Sequence, residues 1–241
     1  MLKNVEKVSL YYSPNFDKTK RSRSKIKYII LHYTGMKSEK GAIKRLTSTY
    51  TKVSSHYFIK KNGEVINLVP DLYTSWHAGI SEWKDDKFLN SKSIGIEISN
   101  PGHQNGYDNF PEKQINSLIN LLKFLKKKYK IKVRNILGHS DISPNRKKDP
   151  GEKFPWKFLS QKKVGHWHSI SETKCKNLRN LSSINNFYFY KFLFKFGYRF
   201  ANKQKDKLNV VKSFQRRFRP NLINGIVDKE CFEILKNLII K

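Results

Sequence analysis

Up to Trp156, short apolar runs alternate with stretches of helical spacing. Residues 27–33 (KYIILHY) are compact, apolar and β-branched, which predicts a buried strand. Residues 39–50 predict a short helix. SHYFI (55–59) and EVINLV (64–69) flank Lys61-Asn62-Gly63, and Asn-Gly between strand-like runs signals a hairpin. SIGIEIS (93–99) predicts another strand. After Pro111, a residue type tolerated in a first helical turn, Ile115, Leu118, Ile119, Leu122, Leu125 and Tyr129 recur on one helical face. VRNIL (133–137) predicts a further strand. Strands alternating with helices imply an α/β fold, a mixed sheet with helices packed on it.

Past Trp156 the rhythm changes. Residues 160–175 are polar and basic without strong periodicity, as in a linker. An aromatic-rich helix (FYFYKFLFKFGY, 187–198) follows, then LNVVKSFQRRF (208–218), a turn from Pro220 to Gly225, and a last helix, DKECFEILKNLII (228–240). Three short helices separated by turn signals predict a small all-α module. The expected division is a first domain over 10–168 and a helical one over 178–241.

Hydrophobic residues make up 38% of the 241, enough for a core, so disorder throughout is excluded. The 49 Lys plus Arg against 19 Asp plus Glu give a net charge of +30. A surface this basic attracts anions: nucleic acid, cell wall or a membrane surface. Because the lysines are spread along the chain, simple solubilisation explains them equally well. No helix-turn-helix, zinc-finger or RNA-binding signature is present, so no specific nucleic-acid partner is expected. Cys175 and Cys231 lie far apart without CxxC spacing, which excludes a Cys-rich zinc site and leaves two thiols or one disulfide. The N-terminal apolar run is shorter than the ~7–15 residues of a signal peptide, and no stretch approaches the ~18 of a transmembrane helix. A cytoplasmic location is expected, with a periplasmic or wall-associated one as the alternative.

Seven histidines are candidates for chemistry. His32 ends a predicted strand, where a rigid scaffold meets an open rim. His139 directly follows another, and Asp149 shares its loop. Two imidazoles and a carboxylate suit Zn2+ and leave a fourth position for water. Glu97 sits mid-strand, where a carboxylate is costly to bury alone. It either pairs with solvent or a lysine, or serves as a general base and then acid. Lys147, two residues before Asp149, is placed to stabilise an oxyanion. His56, in a strand, and Trp76-His77, in a loop, carry less signal alone.

Together these residues resemble the type 2 N-acetylmuramoyl-L-alanine amidases, kin to peptidoglycan recognition proteins. The matching segments are IILHYTGM (29–36), SSHYFIKKNGEVINLVP (54–70), SWHAG (75–79), SIGIEISNPG (93–102) and GHSDISPNRKKDPGEKFPW (138–156). The resemblance implies one zinc held by His32, His139 and Asp149 in a groove at a sheet rim. It implies Glu97 as the acidic catalytic residue, Lys147 as electrostatic stabiliser and His56 as a transition-state contact, with Trp76 and His77 in the substrate groove. The substrate implied is peptidoglycan or muropeptides, cut between the lactyl group of N-acetylmuramic acid and L-alanine by a monomeric enzyme. The last part, with FGY (196–198), VVKSFQRRFRP (210–220) and ING (223–225), resembles a peptidoglycan-binding module. Two alternatives remain: a non-catalytic peptidoglycan-binding protein, which would usually lack the full ligand set, and a phage-type lysin with the same chemistry.

Overall fold

The computed structural model describes residues 8–182 and 185–240. Ten strands occur among them: β1 (Val8–Leu10), β2 (Phe16–Asp17), β3 (Tyr28–Tyr33), β4 (Tyr57–Ile59), β5 (Val65–Asn67), β6 (Thr74–Ser75), β7 (Glu82–Trp83), β8 (Asp86–Lys87), β9 (Ser93–Ile98) and β10 (Ile136–Gly138). The helices are α1 (Glu39–Thr47), α2 (Glu112–Tyr129), α3 (His139–Ile142), α4 (Trp156–Gln161), α5 (Glu172–Leu178), α6 (Asn186–Phe196), α7 (Gln204–Phe218) and α8 (Lys229–Ile240).

The sequence alternation becomes a six-stranded mixed sheet in the order β1-β5-β4-β9-β3-β10. The predicted hairpin is the antiparallel pair β4–β5, closed by Gly63 at φ +91. The other neighbours run parallel, so β9, β3 and β10 all end at one rim. Two-residue ribbons, β2–β6 and β7–β8, lie outside this sheet.

Side chains on a strand alternate between faces. On β3, Ile29 and Leu31 join Ile94, Ile96 and Ile98 of β9 under α2. The helical stripe is as spaced: Ile115, Leu118, Ile119, Leu122, Leu125 and Tyr129 are all buried there. Burying each such side chain stabilises the fold by roughly 1.5–3 kcal/mol. On the opposite face, Tyr28, Ile30 and Leu137 pack with Phe189, Leu193, Phe214 and Leu235 of the C-terminal helices. The segments 10–168 and 178–241 therefore contribute to one continuous cluster. A buried polar brace reinforces it: the Asp141 carboxylate accepts from Tyr198 Oη–H at 2.5 Å, from Gly138 N–H at 2.8 Å, and from Arg217.

Several boundaries differ from the sequence expectation. The first helix stops at Thr47 because Ser48 is extended, and Thr49–Thr51 form a separate 3-10 turn. Val133–Asn135 form another 3-10 turn before β10 begins at Ile136. The expected linker carries the end of α4 and the start of α5, whose N-cap Ser171 accepts from Lys174 N–H at 3.3 Å. Cys175 and Cys231 are buried free thiols. No helix among the described residues is long and apolar enough to cross a membrane.

Candidate active site

Three neighbouring parallel strands each deliver one polar side chain to the shared rim. His32 of β3 and Glu97 of β9 stand side by side as register partners, on the same face of the sheet. His139 follows β10 directly as the first residue of α3. The loop after α3 returns Asp149 to it, with Ser140 N–H donating to the Asp149 carbonyl at 2.9 Å.

His32 Nδ1 lies 2.9 Å from His139 Nδ1, and each of these atoms lies 3.1 Å from Asp149 Oδ2. All three side chains are buried. Burial and the neighbouring His139 lower the His32 pKa to about 4, so its ring is neutral near pH 7. Burial opposes the charge of Asp149, but His139 and His32 outweigh it and hold the carboxyl well below its usual range.

The outer ring nitrogens determine what the inner ones present. Ser93 Oγ–H donates to the Leu89 carbonyl at 2.6 Å, which leaves its oxygen to accept from His77 Nε2–H at 3.1 Å. His77 Nδ1 is then a lone pair and accepts from His32 Nε2–H at 3.0 Å. Burial and the nearby His32 keep the His77 ring from protonating by lowering its pKa well below the ordinary value. His139 Nε2–H donates to the Ala78 carbonyl at 3.1 Å. His32 therefore points the Nδ1 lone pair into the cluster, and His139, with its Nε2–H engaged, turns Nδ1 to the same point beside a carboxylate oxygen. Three such atoms about 3 Å apart are held together by a shared proton or by a metal ion between them. Ligand atoms about 2.0–2.1 Å from one tetrahedral zinc ion sit roughly 3.3 Å apart, close to the spacing here. The three residues fit a divalent metal ion, with their outer nitrogens held as such sites require.

A cavity of about 520 Å³ opens onto this cluster, lined also by Glu97, Lys147, Trp76 and His77. Glu97 Oε2 is buried with no hydrogen-bond partner. Burial, then the charge of Asp149, pushes the Glu97 pKa well above its usual value, with Lys147 and Arg45 pulling the other way. Lys147 is half-buried in the cavity wall. The arrangement can hold a metal ion, take up a proton at Glu97 and present a positive charge at Lys147, all on one cavity.

His56 is not brought to the cavity with the other expected site residues. It is fully buried beneath His77, with ring centroids 5.8 Å apart, and is not among the cavity-lining residues. Its Nδ1 accepts from Gly95 N–H at 3.0 Å and faces Ser75 Oγ at 2.7 Å, while its Nε2–H reaches the Tyr73 carbonyl at 2.9 Å. Burial, then the nearby Arg21, lowers its pKa to about 3. With both nitrogens engaged, it packs beneath the loop carrying His77. Ser93 and Gly95 were missed. A Cβ at Gly95 would come 2.4 Å from the His77 ring, so only glycine fits under it. The available signal was the alternation of SIGIEIS, which sends Ser93, Gly95 and Glu97 to one face and the isoleucines to the other.

Comparison with known proteins shows the family and the fold. Residues 22–152 match the family model described as N-acetylmuramoyl-L-alanine amidase. N-acetylmuramoyl-L-alanine amidase AmiD of Escherichia coli (strain K12) is 34% identical over 233 residues, which is 90% of this chain and 83% of that protein. The 1,6-anhydro-N-acetylmuramyl-L-alanine amidase AmpD of Haemophilus influenzae is 32% identical over 186 residues, covering 67% of this chain and 98% of that protein. The structure of E. coli AmiD in complex with the substrate anhydro-N-acetylmuramic acid-L-Ala-D-gamma-Glu-L-Lys superposes with a TM-score of 0.82 at 30% identity. The match covers 93% of this chain and 92% of that one.

Proposed function

This chain belongs to the N-acetylmuramoyl-L-alanine amidase family and is an amidase of peptidoglycan turnover, and from that premise we propose that it is zinc-dependent and works through His32, His139 and Asp149. The observation that carries the zinc reading is the meeting of two imidazole nitrogens and a carboxylate oxygen about 3 Å apart, buried beside a polar cavity. Bound there, zinc would lower the pKa of a water to about 7 and polarise a carbonyl.

The chain's own groups supply the rest. Glu97 accepts the proton of the attacking water, whose oxygen bonds to the lactyl carbonyl carbon of N-acetylmuramic acid. A raised pKa suits a carboxylate that must hold that proton and then release it. Lys147 stabilises negative charge on the carbonyl oxygen from the cavity wall. Glu97 next protonates the L-alanine nitrogen as the C–N bond breaks, leaving a lactyl carboxylate on the sugar and a free amine on the peptide. His77 fixes the orientation of His32, and Trp76 contributes to the groove wall. The substrate is peptidoglycan or a muropeptide released from it. Residues 10–168 carry the chemistry, and 178–241 form the helical unit that completes the sheet's second face.

The test is mass spectrometry of the products from a soluble muropeptide, with and without prior chelation. Appearance of the free stem peptide only when zinc is present or restored supports the proposal. Undiminished cleavage by metal-free protein refutes zinc dependence, and cleavage at another bond refutes the substrate assignment.

A further inference from the structure

Helix α6 has two unlike faces. Phe189 and Leu193 are fully buried against α7 and α8, which is the ordinary inner stripe of a bundle helix. The outer stripe consists of Phe187, Tyr188, Lys191, Phe194 and Lys195, all exposed. At 3.6 residues per turn these five positions span an arc of about 120°, so they form one continuous surface. Its three rings are 67%, 49% and 51% exposed at Phe187, Tyr188 and Phe194. Solvation of the backbone or helix propensity gives no reason for three large rings to face water. Cations border them: the Arg199 guanidinium lies 3.8 Å from the Phe194 ring centroid, and Lys207 Nζ 5.3 Å from that of Tyr190. From Arg179 to Lys207 the chain has seven Lys or Arg and one acid, Asp206. The exposed Asp85 pairs with Arg199 at 3.3 Å, and Asp206 accepts from Asn145 Nδ2 at 2.8 Å.

We infer that this face of α6 docks on an anionic lipid surface, with Phe187, Tyr188 and Phe194 entering the headgroup–acyl boundary and Lys191 and Lys195 paired with lipid anions. Charge complementarity sets the sign of the partner. The rings choose among anionic partners: a sugar-phosphate polymer or a nucleic-acid duplex satisfies lysines but gives Phe187 and Phe194 no apolar phase. A bilayer presents both layers within one helix diameter, and aromatic rings interleaved with lysines are what such an interface stabilises. Lysine stems lie along the apolar boundary while their ammonium groups stay at headgroup level. The inference does not depend on the metal or on the proposed catalytic steps.

The full chain would be mixed with vesicles of phosphatidylcholine alone, or of phosphatidylcholine with phosphatidylglycerol, and partitioning measured by flotation. Binding is expected to the mixed vesicles and not to the neutral ones. Combined Phe187→Ser, Tyr188→Ser and Phe194→Ser should weaken it by about tenfold or more, as should combined Lys191→Glu and Lys195→Glu. Neither set should change hydrolysis of a soluble muropeptide. A Phe187→Trp variant gives a reading from the folded protein itself, with its emission expected to shift to the blue on mixed vesicles. The inference fails if the chain does not float with mixed vesicles, if the serine variant binds them as well as the parent, or if the emission of the Phe187→Trp variant does not move. It fails equally if the serine substitutions abolish binding to isolated sacculi, or a concentration-dependent dimer, while vesicle binding persists.

Discussion

At the level of single residues, the site depends on which atoms carry protons. Ser93, His77 and His32 form a directional chain from the Leu89 carbonyl to the ligand cluster, and it ends in a lone pair at His32 Nδ1. Ser93→Ala removes the acceptor that fixes His77, and zinc affinity is expected to fall by about 10–100-fold, read by competition with a chromophoric chelator. An unchanged affinity would mean the tautomer of His32 is set elsewhere. Glu97→Gln keeps the shape of the site but cannot take a proton. It should retain zinc while turnover falls by about 10²–10⁴-fold, checked by metal analysis and a muropeptide assay on the same sample. The grouping of His32, His139 and Asp149 was legible through the family resemblance, since the spacing of His and Asp alone carries little signal. The duties of Ser93 and His56 were not, since a strand sequence shows which face a side chain takes but not what lies above that face. His56 follows Ser55 in a mostly apolar run, and only the packing of His77 over it reveals that it is covered.

At the level of elements, the strands set the positions that loops alone could not hold. β9 brings Ser93, Gly95 and Glu97 to one face at successive steps, and the glycine leaves room for the His77 ring. Gly95→Ala should displace that ring, so a combined loss of zinc affinity and activity is expected with little change in secondary structure by circular dichroism. Behind the site, α2 is tied to the sheet by Asp71, whose carboxylate accepts from Tyr57 Oη–H at 2.7 Å, Tyr129 Oη–H at 2.6 Å and Lys128 Nζ at 2.7 Å. Burial disfavours the charge, but these donors outweigh it and lower the pKa. A carboxyl with a lowered folded-state pKa adds stability above its unfolded value of about 3.9, and that contribution is lost as pH falls through the folded value. Asp71→Asn should therefore cost a few kcal/mol near neutral pH, with the gap from the parent narrowing in strong acid, as read by urea titration across pH. The long periodic elements, α2 and the two six-residue strands β3 and β9, were legible because their patterns repeat several times. Strands of two or three residues, such as β2, β6, β7 and β8, contain no repeat to detect.

At the level of the whole molecule, the apolar run YIILHY shows a strand covered on both faces. Sequence identified α2 as one cover but could not reveal the other, because the change of composition after Trp156 marks a linker and not what its far side packs against. The structure places α6, α7 and α8 there, sharing a core with Tyr28, Ile30 and Leu137 and a buried brace through Asp141 and Arg217. Removing 178–241 would bare that face two residues from His139. The truncated chain is expected to lose cooperative unfolding and most of its activity, and a truncated form as stable and active as the parent would show that the helices are dispensable. The central claim is the zinc site itself, and metal stoichiometry tests it most directly. Purified chain is expected to bind one zinc ion per molecule, and His139→Ala to bind none. A parent chain that binds no zinc, or a His139→Ala variant that binds it undiminished, would contradict the account.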